Sequence, residues 1–267
     1  MILNDKVVII SGIGPGLGIK LALQAAEGGA RGVVLAARTP AKLDDAENRI
    51  RESGFDCEIL KVPTDICDRS QCDHLVKETV KTFGRVDALV NSAFFHGNFE
   101  PIENADLEDW RRVVDTNLIG TMNITQAVIP VMKEQKGGAI VMINTQATRK
   151  PVVLEFGGES GYAASKGALT VASKYLAKEL GGYGIRVNTA LMGWMWGEPV
   201  KGYIQFTAAN EKISEEEAIG QVTQNIPLGR IPTDDECAKA ALFLVSDYAS
   251  AITGATLDVN GGEFMPA

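Results

Sequence analysis

The fold of this chain is decided near its start by the segment Lys6-Val-Val-Ile-Ile-Ser-Gly-Ile-Gly-Pro-Gly-Leu-Gly18. Its first part, Lys6–Ile10, is a short run rich in β-branched residues, and such a run predicts a buried strand. The glycines that follow predict a tight turn, and the apolar spacing that starts at Leu17 predicts a helix ending near Gly28. A strand, a glycine-rich turn and a helix in this order are typical of a βαβ unit whose helix N-terminus carries a pyrophosphate.

The same alternation of strand and helix continues along the chain. Apolar runs predict further strands at Val33–Ala37, Cys57–Val62, Ala88–Asn91, Ile140–Ile143, Ile185–Ala190 and Thr256–Val259. Helical patterns are predicted between them at Lys42–Glu52, Ser70–Phe83, Leu107–Lys133, Gly161–Leu180 and Asp234–Ser246. The pattern predicts an α/β fold: a Rossmann-type, doubly wound parallel sheet of about seven strands with helices on both faces. Because no linker or repeat interrupts it, residues 1–267 are expected to form a single domain.

One stretch, residues 193–225, breaks this rhythm. It contains no clear strand and carries several aromatic side chains, among them Trp194 and Trp196. Its part Ser214–Ile219 could form a short helix. An insertion of this kind between a strand and a helix often covers an active site, so the stretch is a candidate substrate lid.

Composition argues against several classes of protein. The chain has 26 basic and 34 acidic residues, a net charge of −8 and no basic cluster, so nucleic acid is not an expected partner. No stretch approaches the roughly 20 apolar residues of a membrane helix, and the first residues lack a signal-peptide pattern. We therefore expect a cytoplasmic protein without a membrane partner. Four cysteines without a C-x-x-C pair, and only two histidines, argue against a metal site or a disulfide framework.

A second motif, Tyr162-Ala-Ala-Ser-Lys166, places a tyrosine and a lysine on one face of a helix. The helix follows the fifth predicted strand, so the pair lies at the carboxyl edge of the sheet, where ligands bind. A tyrosine with an ordinary pKa of about 10 is a poor base at neutral pH. A nearby ammonium favours the phenolate, and Tyr162 could then exchange a proton with a substrate oxygen.

The end of the second predicted strand reads Ala36-Ala37-Arg38. A carboxylate at this place would bind the ribose 2′-hydroxyl of NAD, whereas an arginine accommodates the 2′-phosphate of NADP. The sequence therefore favours NADP(H) over NAD(H) as the cofactor. The alternative, in which Arg38 is a solvated loop residue, stays open.

Together these motifs resemble the short-chain dehydrogenase/reductase family, in particular its members like 3-oxoacyl-acyl-carrier-protein reductase. The spacing of Gly12, Gly16 and Gly18 is similar to the family's glycine motif. Other similar blocks are Phe83–Ala93, Asp115–Gly120, Ala139–Gln146, Ile185–Gly193, Leu228–Pro232 and Leu257–Gly262. The resemblance runs from Lys6 to Gly262, which is nearly the whole chain.

The resemblance implies a set of site residues. Its catalytic set would be Asn117, Thr145, Tyr162 and Lys166. Thr145 stands where the family has a serine that binds the substrate oxygen, Lys166 would also hold the nicotinamide ribose, and Asn117 would hold a water linked to that lysine. The cofactor would be bound by Gly12, Gly16, Leu17, Gly18, Arg38, Asp65, Ile66, Asn91, Ala93, Tyr162, Lys166 and Gly193. The family's usual assembly implies a homotetramer.

For two of these residues a plainer role remains open from the residues themselves. A mid-helix asparagine such as Asn117 could simply face solvent. Asp65 could be a turn or cap residue.

The substrate side is predicted from aromatic residues. We expect the substrate walls to be formed by Phe94, Phe95, His96, Trp194, Met195 and Trp196. Aromatic and methionine side chains favour a flat or bulky apolar small molecule. The chain is accordingly predicted to be an NAD(P)-dependent oxidoreductase that interconverts a ketone and a secondary alcohol. Because Thr145 replaces a serine and Phe94 a glycine, a cofactor-binding sensor or scaffold without turnover is the alternative. An isomerase or dehydratase on the same fold is a third option.

Overall fold

The computed structural model describes residues 1–151, 153–154 and 157–266. The strands within these residues are β1 (Val7–Ser11), β2 (Gly32–Ala37), β3 (Glu58–Pro63), β4 (Ala88–Asn91), β5 (Gly138–Thr145), β6 (Val153–Leu154), β7 (Gly157–Gly158), β8 (Ile185–Met192) and β9 (Thr256–Val259). Seven of these described strands form one parallel sheet in the order β3-β2-β1-β4-β5-β8-β9, while β6 and β7 form a separate antiparallel pair. The predicted doubly wound α/β fold is confirmed.

The helices that flank the sheet follow the strands in turn. They are α1 (Leu17–Glu27), α2 (Pro40–Glu52), α3 (Arg69–Phe83), α4 (Leu107–Val114), α5 (Thr121–Gln135), α6 (Ser160–Leu180), α7 (Glu198–Glu211), α8 (Glu215–Thr223) and α9 (Asp234–Val245). The predicted strands and helices all occur, with ends that differ by a few residues.

The sheet is buried on both faces, as its continuous apolar strands require. On one face the strands pack against α1, α2 and α9, which contribute Leu21, Leu43 and Leu242 to a common core. On the other face they pack against α3, α5 and α6, with Leu75 and Ile124 in a second core. Burial on both sides leaves the carboxyl edge of the sheet as the place where loops can form a site.

The strand order reverses at β1, which pairs with β2 on one side and β4 on the other. Gly12 follows β1 at this point with a φ of +91°, in the left-handed region that favours glycine. A side chain there would collide with the backbone nitrogen of Ala93, just after β4. The glycine-rich loop is therefore packed directly against the end of β4.

The predicted helix Leu107–Lys133 is continuous, but it is not α-helical throughout. Residues Asp115–Gly120 form a π-helical segment between α4 and α5. A π-helical segment widens one turn of a helix and is frequent at functional sites. Here the widened turn contains Asn117, whose side chain is directed away from its own helix.

The stretch 193–225 contains more helix than the sequence indicates. Besides a helix at Glu215–Thr223, in place of the predicted Ser214–Ile219, it contains the unpredicted helix Glu198–Glu211. The latter buries Ile204 while Phe206 lies half-exposed on another side, so its apolar residues do not form the single stripe that sequence analysis detects. Whether the stretch acts as a lid stays a prediction.

No helix in the described part of the chain is long and apolar enough to cross a membrane. The described residues also contain no group of three or more His, Cys, Asp or Glu side chains placed to hold a metal ion. All four cysteines are free thiols.

Candidate active site

A cleft of about 550 Å³ opens at the carboxyl edge of the sheet, a volume typical of a small-molecule site. Loops that follow β1, β2, β3 and β4 line it on one side, and the ends of β5 and β8 line it on the other. Among the residues predicted for the site, the cleft brings together Gly12, Gly16, Leu17, Gly18, Arg38, Asp65, Ile66, Ala93, Phe94, Thr145, Tyr162, Lys166 and Gly193.

The glycine-rich loop is tightly packed at Gly18 but leaves open space beside Gly16. A side chain at Gly18 would collide with the carbonyl oxygen of Gly12, so this glycine is needed for the loop to close on itself. A Cβ at Gly16 would meet only one side-chain oxygen, of Asp234, at 4.0 Å. Gly16 also precedes α1 without any side-chain cap, so the first amides of this helix face the cleft. An anion such as the pyrophosphate of a dinucleotide fits this cradle.

Basic residues lie where the cleft passes the end of β2. Arg38 and Lys42 both line it and are exposed. Over the described ranges, neither side chain has a hydrogen-bond or ion-pair partner. Across from them, Asp65 accepts a 3.0 Å hydrogen bond from the amide of Cys67, and its own amide donates to Gln71. Asp65 thus shapes the turn after β3 and lines the cleft as well.

Tyr162 and Lys166 lie one turn apart on α6 and both line the cleft. Lys166 is only 2% exposed, and its Nζ donates a 2.9 Å hydrogen bond to the carbonyl oxygen of Ile143 in β5. Nζ lies 5.9 Å from the centroid of the Tyr162 ring. The strand end therefore fixes the ammonium beside the phenol.

Burial has opposite effects on these two groups, because it disfavours the charged form of each. It lowers the pKa of Lys166 to about 8. It raises the pKa of Tyr162, and the carboxylate of Glu159 raises that pKa further. At neutral pH Tyr162 is therefore a phenol, the form that donates a proton.

Thr145 ends β5 and lines the same cleft. Its Oγ1 accepts a 3.2 Å hydrogen bond from the amide of Ala147. Its hydroxyl proton has no acceptor among the residues that the structure describes, so it can be donated to a substrate oxygen. Ser160, the other nearby hydroxyl residue, begins α6 and does not line the cleft.

Comparison with known proteins agrees with this geometry. A family model described as enoyl-(acyl carrier protein) reductase matches residues 12–263. The 3-oxoacyl-acyl-carrier-protein reductase FabG of Thermotoga maritima is 33% identical over 265 residues, which cover 98% of this chain and 99% of the relative. This chain belongs to the short-chain dehydrogenase/reductase family. It is an NAD(P)-dependent oxidoreductase, as the motifs predict.

Two solved structures show what related proteins bind. The L-sorbose reductase of Gluconobacter frateurii, complexed with NADPH and L-sorbose, is 27% identical, covers 100% of both chains and has a TM-score of 0.90. An NAD+-bound xylitol dehydrogenase is also 27% identical, covers 97% of this chain and 99% of its own, and has a TM-score of 0.86. Structural relatives of this short-chain dehydrogenase/reductase thus bind either dinucleotide.

Two predicted residues of the dehydrogenase/reductase lie behind the cleft rather than in it. Asn117 is completely buried, so the alternative in which it faces solvent is wrong. Its Oδ1 accepts from the amide of Phe95, and its Nδ2 donates to the Phe95 carbonyl and to Ser165 Oγ, at 2.8–3.0 Å. This side chain ties the loop after β4 to α6, which carries Tyr162. Asn91 is also buried and donates to Thr125 on α5.

The predicted substrate walls divide into two groups. Phe94 lines the cleft 6.1 Å from the ring of Tyr162. The imidazole of His96 stacks on that ring at 4.6 Å, but neither His96 nor Phe95 lines the cleft. Trp194 and Trp196 do not line the cleft. They pack into the small core beneath the stretch 193–225, where Trp194 lies 5.2 Å from the ring of Tyr203. Met195, the predicted wall residue between the two tryptophans, does line the cleft.

Two acidic residues of the dehydrogenase/reductase site, Glu159 and Asp234, were not predicted from the sequence. Glu159 Oε2 lies 2.9 Å from His96 Nε2, beside Tyr162. Its position three residues before Tyr162, directly before the first residue of α6, is a signal that could have been used. Asp234 is a buried residue of the cleft wall. The capping box formed by Thr233 and Glu236 indicates the start of α9, but no sequence pattern indicates where the Asp234 side chain points.

Proposed function

We propose that this enzyme interconverts a ketone and a secondary alcohol, that it prefers NADP(H), and that its substrate presents a flat or bulky apolar group to the aromatic side of the cleft. The observation that carries the proposal is the convergence of Tyr162, Lys166 and Thr145 on the cleft that begins at the glycine-rich loop. These three side chains supply a proton donor, a cation and a hydroxyl donor.

Each residue has a separate task in this reaction. The dinucleotide, when bound, supplies or accepts the hydride. The first amides of α1 after Gly16 hold its pyrophosphate, and Lys166 holds its ribose. Tyr162 donates a proton to the carbonyl oxygen while Thr145 donates a hydrogen bond to the same oxygen. Asn117 links α6, which carries Tyr162, to the loop after β4 and so holds Tyr162 in position.

The preference for NADP(H) rests on this chain's own residues, since its relatives bind either dinucleotide. Arg38 and Lys42 are exposed cations at the cleft without partners among the described residues. Thr39, between them, immediately precedes α2, and its side chain does not cap the helix. An arginine, a lysine and a free helix N-terminus together form a site for a phosphate.

The apolar substrate side rests on the stacked rings. Phe94 and Tyr162 line the cleft with their rings 6.1 Å apart. His96, which does not line it, stacks on Tyr162 and, at 4.5 Å, on Phe99. Such surfaces favour flat apolar groups. The relatives are named for an acyl-carrier-protein ester, a sugar and a polyol, so their names do not decide the substrate class.

We also propose the homotetramer that is usual in the family. On α6, Val171 and Tyr175 lie one turn apart and are 57% and 67% exposed. Apolar side chains on one exposed helix face are typical of a protein interface. Light scattering of the purified protein would test the assembly, and charged substitutions at both positions should dissociate it.

The experiment that tests the function follows nicotinamide absorbance with NADPH or NADH and a panel of ketones. The panel pairs aromatic or cyclic ketones with small charged ones. We expect turnover of the bulky apolar members with NADPH. Turnover confined to small charged ketones would contradict the substrate class, and binding of cofactor without turnover of any member would favour the sensor alternative.

A further inference from the structure

A buried carboxyl group without a partner lies in the wall of the cleft. Asp234 is the first residue of α9 and is only 6% exposed, although it lines the cleft. Its Oδ1 is buried and has no hydrogen-bond partner within the described residues. Buried carboxylates ordinarily accept several hydrogen bonds, because an unpaired buried charge is costly.

The carboxyl group of Asp234 lies between the starts of two other helices. A Cβ at Gly197, just before α7, would lie 2.8 and 2.9 Å from its two oxygens. A Cβ at Gly16, just before α1, would lie 4.0 Å from its Oδ2. The group therefore faces the same cradle of free amides that fits a pyrophosphate.

The charged groups around Asp234 are already paired with one another. On α1, Lys20 donates to Asp235 at 2.8 Å. On α7, Lys201 donates to Glu198 at 2.9 Å. Arg230 forms an ion pair with Glu236 on α9. Among the described residues, none of the three cations forms an ion pair with Asp234, although Lys20 and Lys201 are close enough to lower its pKa.

Two kinds of effect oppose each other at Asp234. Burial has the largest effect and raises the pKa of Asp234, and the carboxylates of Asp235 and Glu198 raise it too, whereas the ammonium groups of Lys20 and Lys201 lower it. A bound pyrophosphate would add negative charge at the same place and raise the pKa again. By linkage, a ligand that raises the pKa of a group binds less tightly once that group has lost its proton.

We propose that Asp234 binds a proton when the dinucleotide binds and donates a hydrogen bond from its carboxyl group to a pyrophosphate oxygen. The inference rests on the pyrophosphate position proposed above. The proton comes from solvent, and it remains on Asp234 throughout turnover. Asp234 is thus a positioning residue for the cofactor, and it makes cofactor affinity depend on pH.

Binding of NADH, measured by nicotinamide fluorescence without any substrate, tests this. NADH is used because it lacks the 2′-phosphate, whose own second pKa of about 6 would complicate the titration. Between about pH 5 and about pH 8 we expect the Kd to rise with pH, by up to about tenfold per unit. In Asp234→Asn the rise should be absent and binding at the upper end of this range tighter. Asp235→Asn removes the adjacent carboxylate, which is paired with Lys20, and should keep the rise.

Calorimetry in two buffers of different ionisation enthalpy measures the proton directly. We expect about one proton bound per NADH by the unsubstituted protein and none by Asp234→Asn. Asp234→Ala gives the same test if the asparagine variant does not fold. A pH dependence that persists in both variants would overturn the proposal, as would NADH affinity abolished by a chelator, which would assign a divalent cation to the site.

These outcomes are independent of turnover. Failure of the ketone panel with normal NADH binding would contradict the proposed function alone. NADH binding without proton uptake, together with normal turnover of ketones, would contradict only the proposed role of Asp234.

Discussion

The imidazole ring of His96 lies against the phenol ring of Tyr162, with centroids 4.6 Å apart and an interplanar angle of 22°. Nε2 of the same imidazole lies 2.9 Å from Oε2 of Glu159. Nε2 therefore donates to the carboxylate, while Nδ1 is buried without a partner in the described part of the chain. A carboxylate and an imidazole are thus placed beside the proposed proton donor.

Glu159→Gln should lower the pKa of Tyr162, because the carboxylate of Glu159 raises it. Alcohol oxidation requires the phenolate, so the rising limb of its pH–rate profile should move to lower pH, by up to about one unit. The profile of kcat/KM against pH checks this. Glu198→Gln, which removes a different carboxylate of the cleft, should leave the limb unchanged. An unchanged limb in Glu159→Gln would show that this carboxylate does not act on Tyr162.

Lys166→Met should stabilise the protein while abolishing turnover. The pKa of Lys166 is lowered to about 8, so from about pH 8 to its unfolded value of about 10.4 the unfolded chain binds more protons than the folded one. The contribution of this lysine to the free energy of unfolding therefore rises with pH. Below about pH 8 the lysine is charged, and burying its ammonium destabilises the folded protein.

Urea unfolding at neutral pH should show that Lys166→Met raises the free energy of unfolding by on the order of 2 kcal/mol. Loss of the hydrogen bond to Ile143 makes this gain smaller than removal of the buried charge alone would give. The gain should shrink as the pH rises toward about 10. Lys42→Met, at an exposed lysine of the same cleft, should show no such trend. A loss of stability at every pH would contradict the predicted cost of the buried charge.

Gly16→Ala and Gly18→Ala should have different effects, although only Leu17 separates the two glycines. Alanine at Gly18 collides with the carbonyl oxygen of Gly12 and should lower the melting temperature. Alanine at Gly16 meets no protein atom closer than 4.0 Å, so stability should be kept while dinucleotide affinity falls, by about 10- to 100-fold. Thermal unfolding and fluorescence titration separate the two effects. Full affinity in Gly16→Ala would mean that the pyrophosphate does not lie over this residue.

Arg38→Ala should weaken the binding of NADPH while leaving the affinity for NADH nearly unchanged. A lost charge-assisted contact to the 2′-phosphate is worth about 2 kcal/mol, which corresponds to about 30-fold in Kd. Titration of both dinucleotides checks the difference. Arg69→Ala, which removes an arginine of α3 that is paired with Asp73, is the matched control. Equal losses for both dinucleotides would remove the basis for the proposed preference.

Local spacing made part of this enzyme predictable from its sequence. The glycine-rich loop and the pair Tyr162 and Lys166 depend on neighbours within a few residues, and the structure places all of them at one cleft. The two-sided burial of the strands is likewise encoded in continuous apolar runs. These features allowed the fold and the family to be predicted correctly.

The remaining features depend on packing between distant segments. Trp194 and Trp196 were expected in the substrate wall because they are aromatic, yet they pack against a core to which the unpredicted helix α7 and the helix α8 both contribute. The orphaned carboxyl group of Asp234 depends on the meeting of three helix starts. Such arrangements leave no periodic signal in the chain, because each partner lies far away in sequence.

The most direct test of the account compares the unsubstituted enzyme with Tyr162→Phe, using NADPH and a ketone that the panel shows to be turned over. The variant keeps the aromatic ring that stacks on His96 and loses only the hydroxyl group. The account predicts unchanged NADPH affinity with a loss of kcat of about 100-fold or more. Substantial turnover by Tyr162→Phe, with normal cofactor binding, would contradict the assignment of Tyr162 as the proton donor.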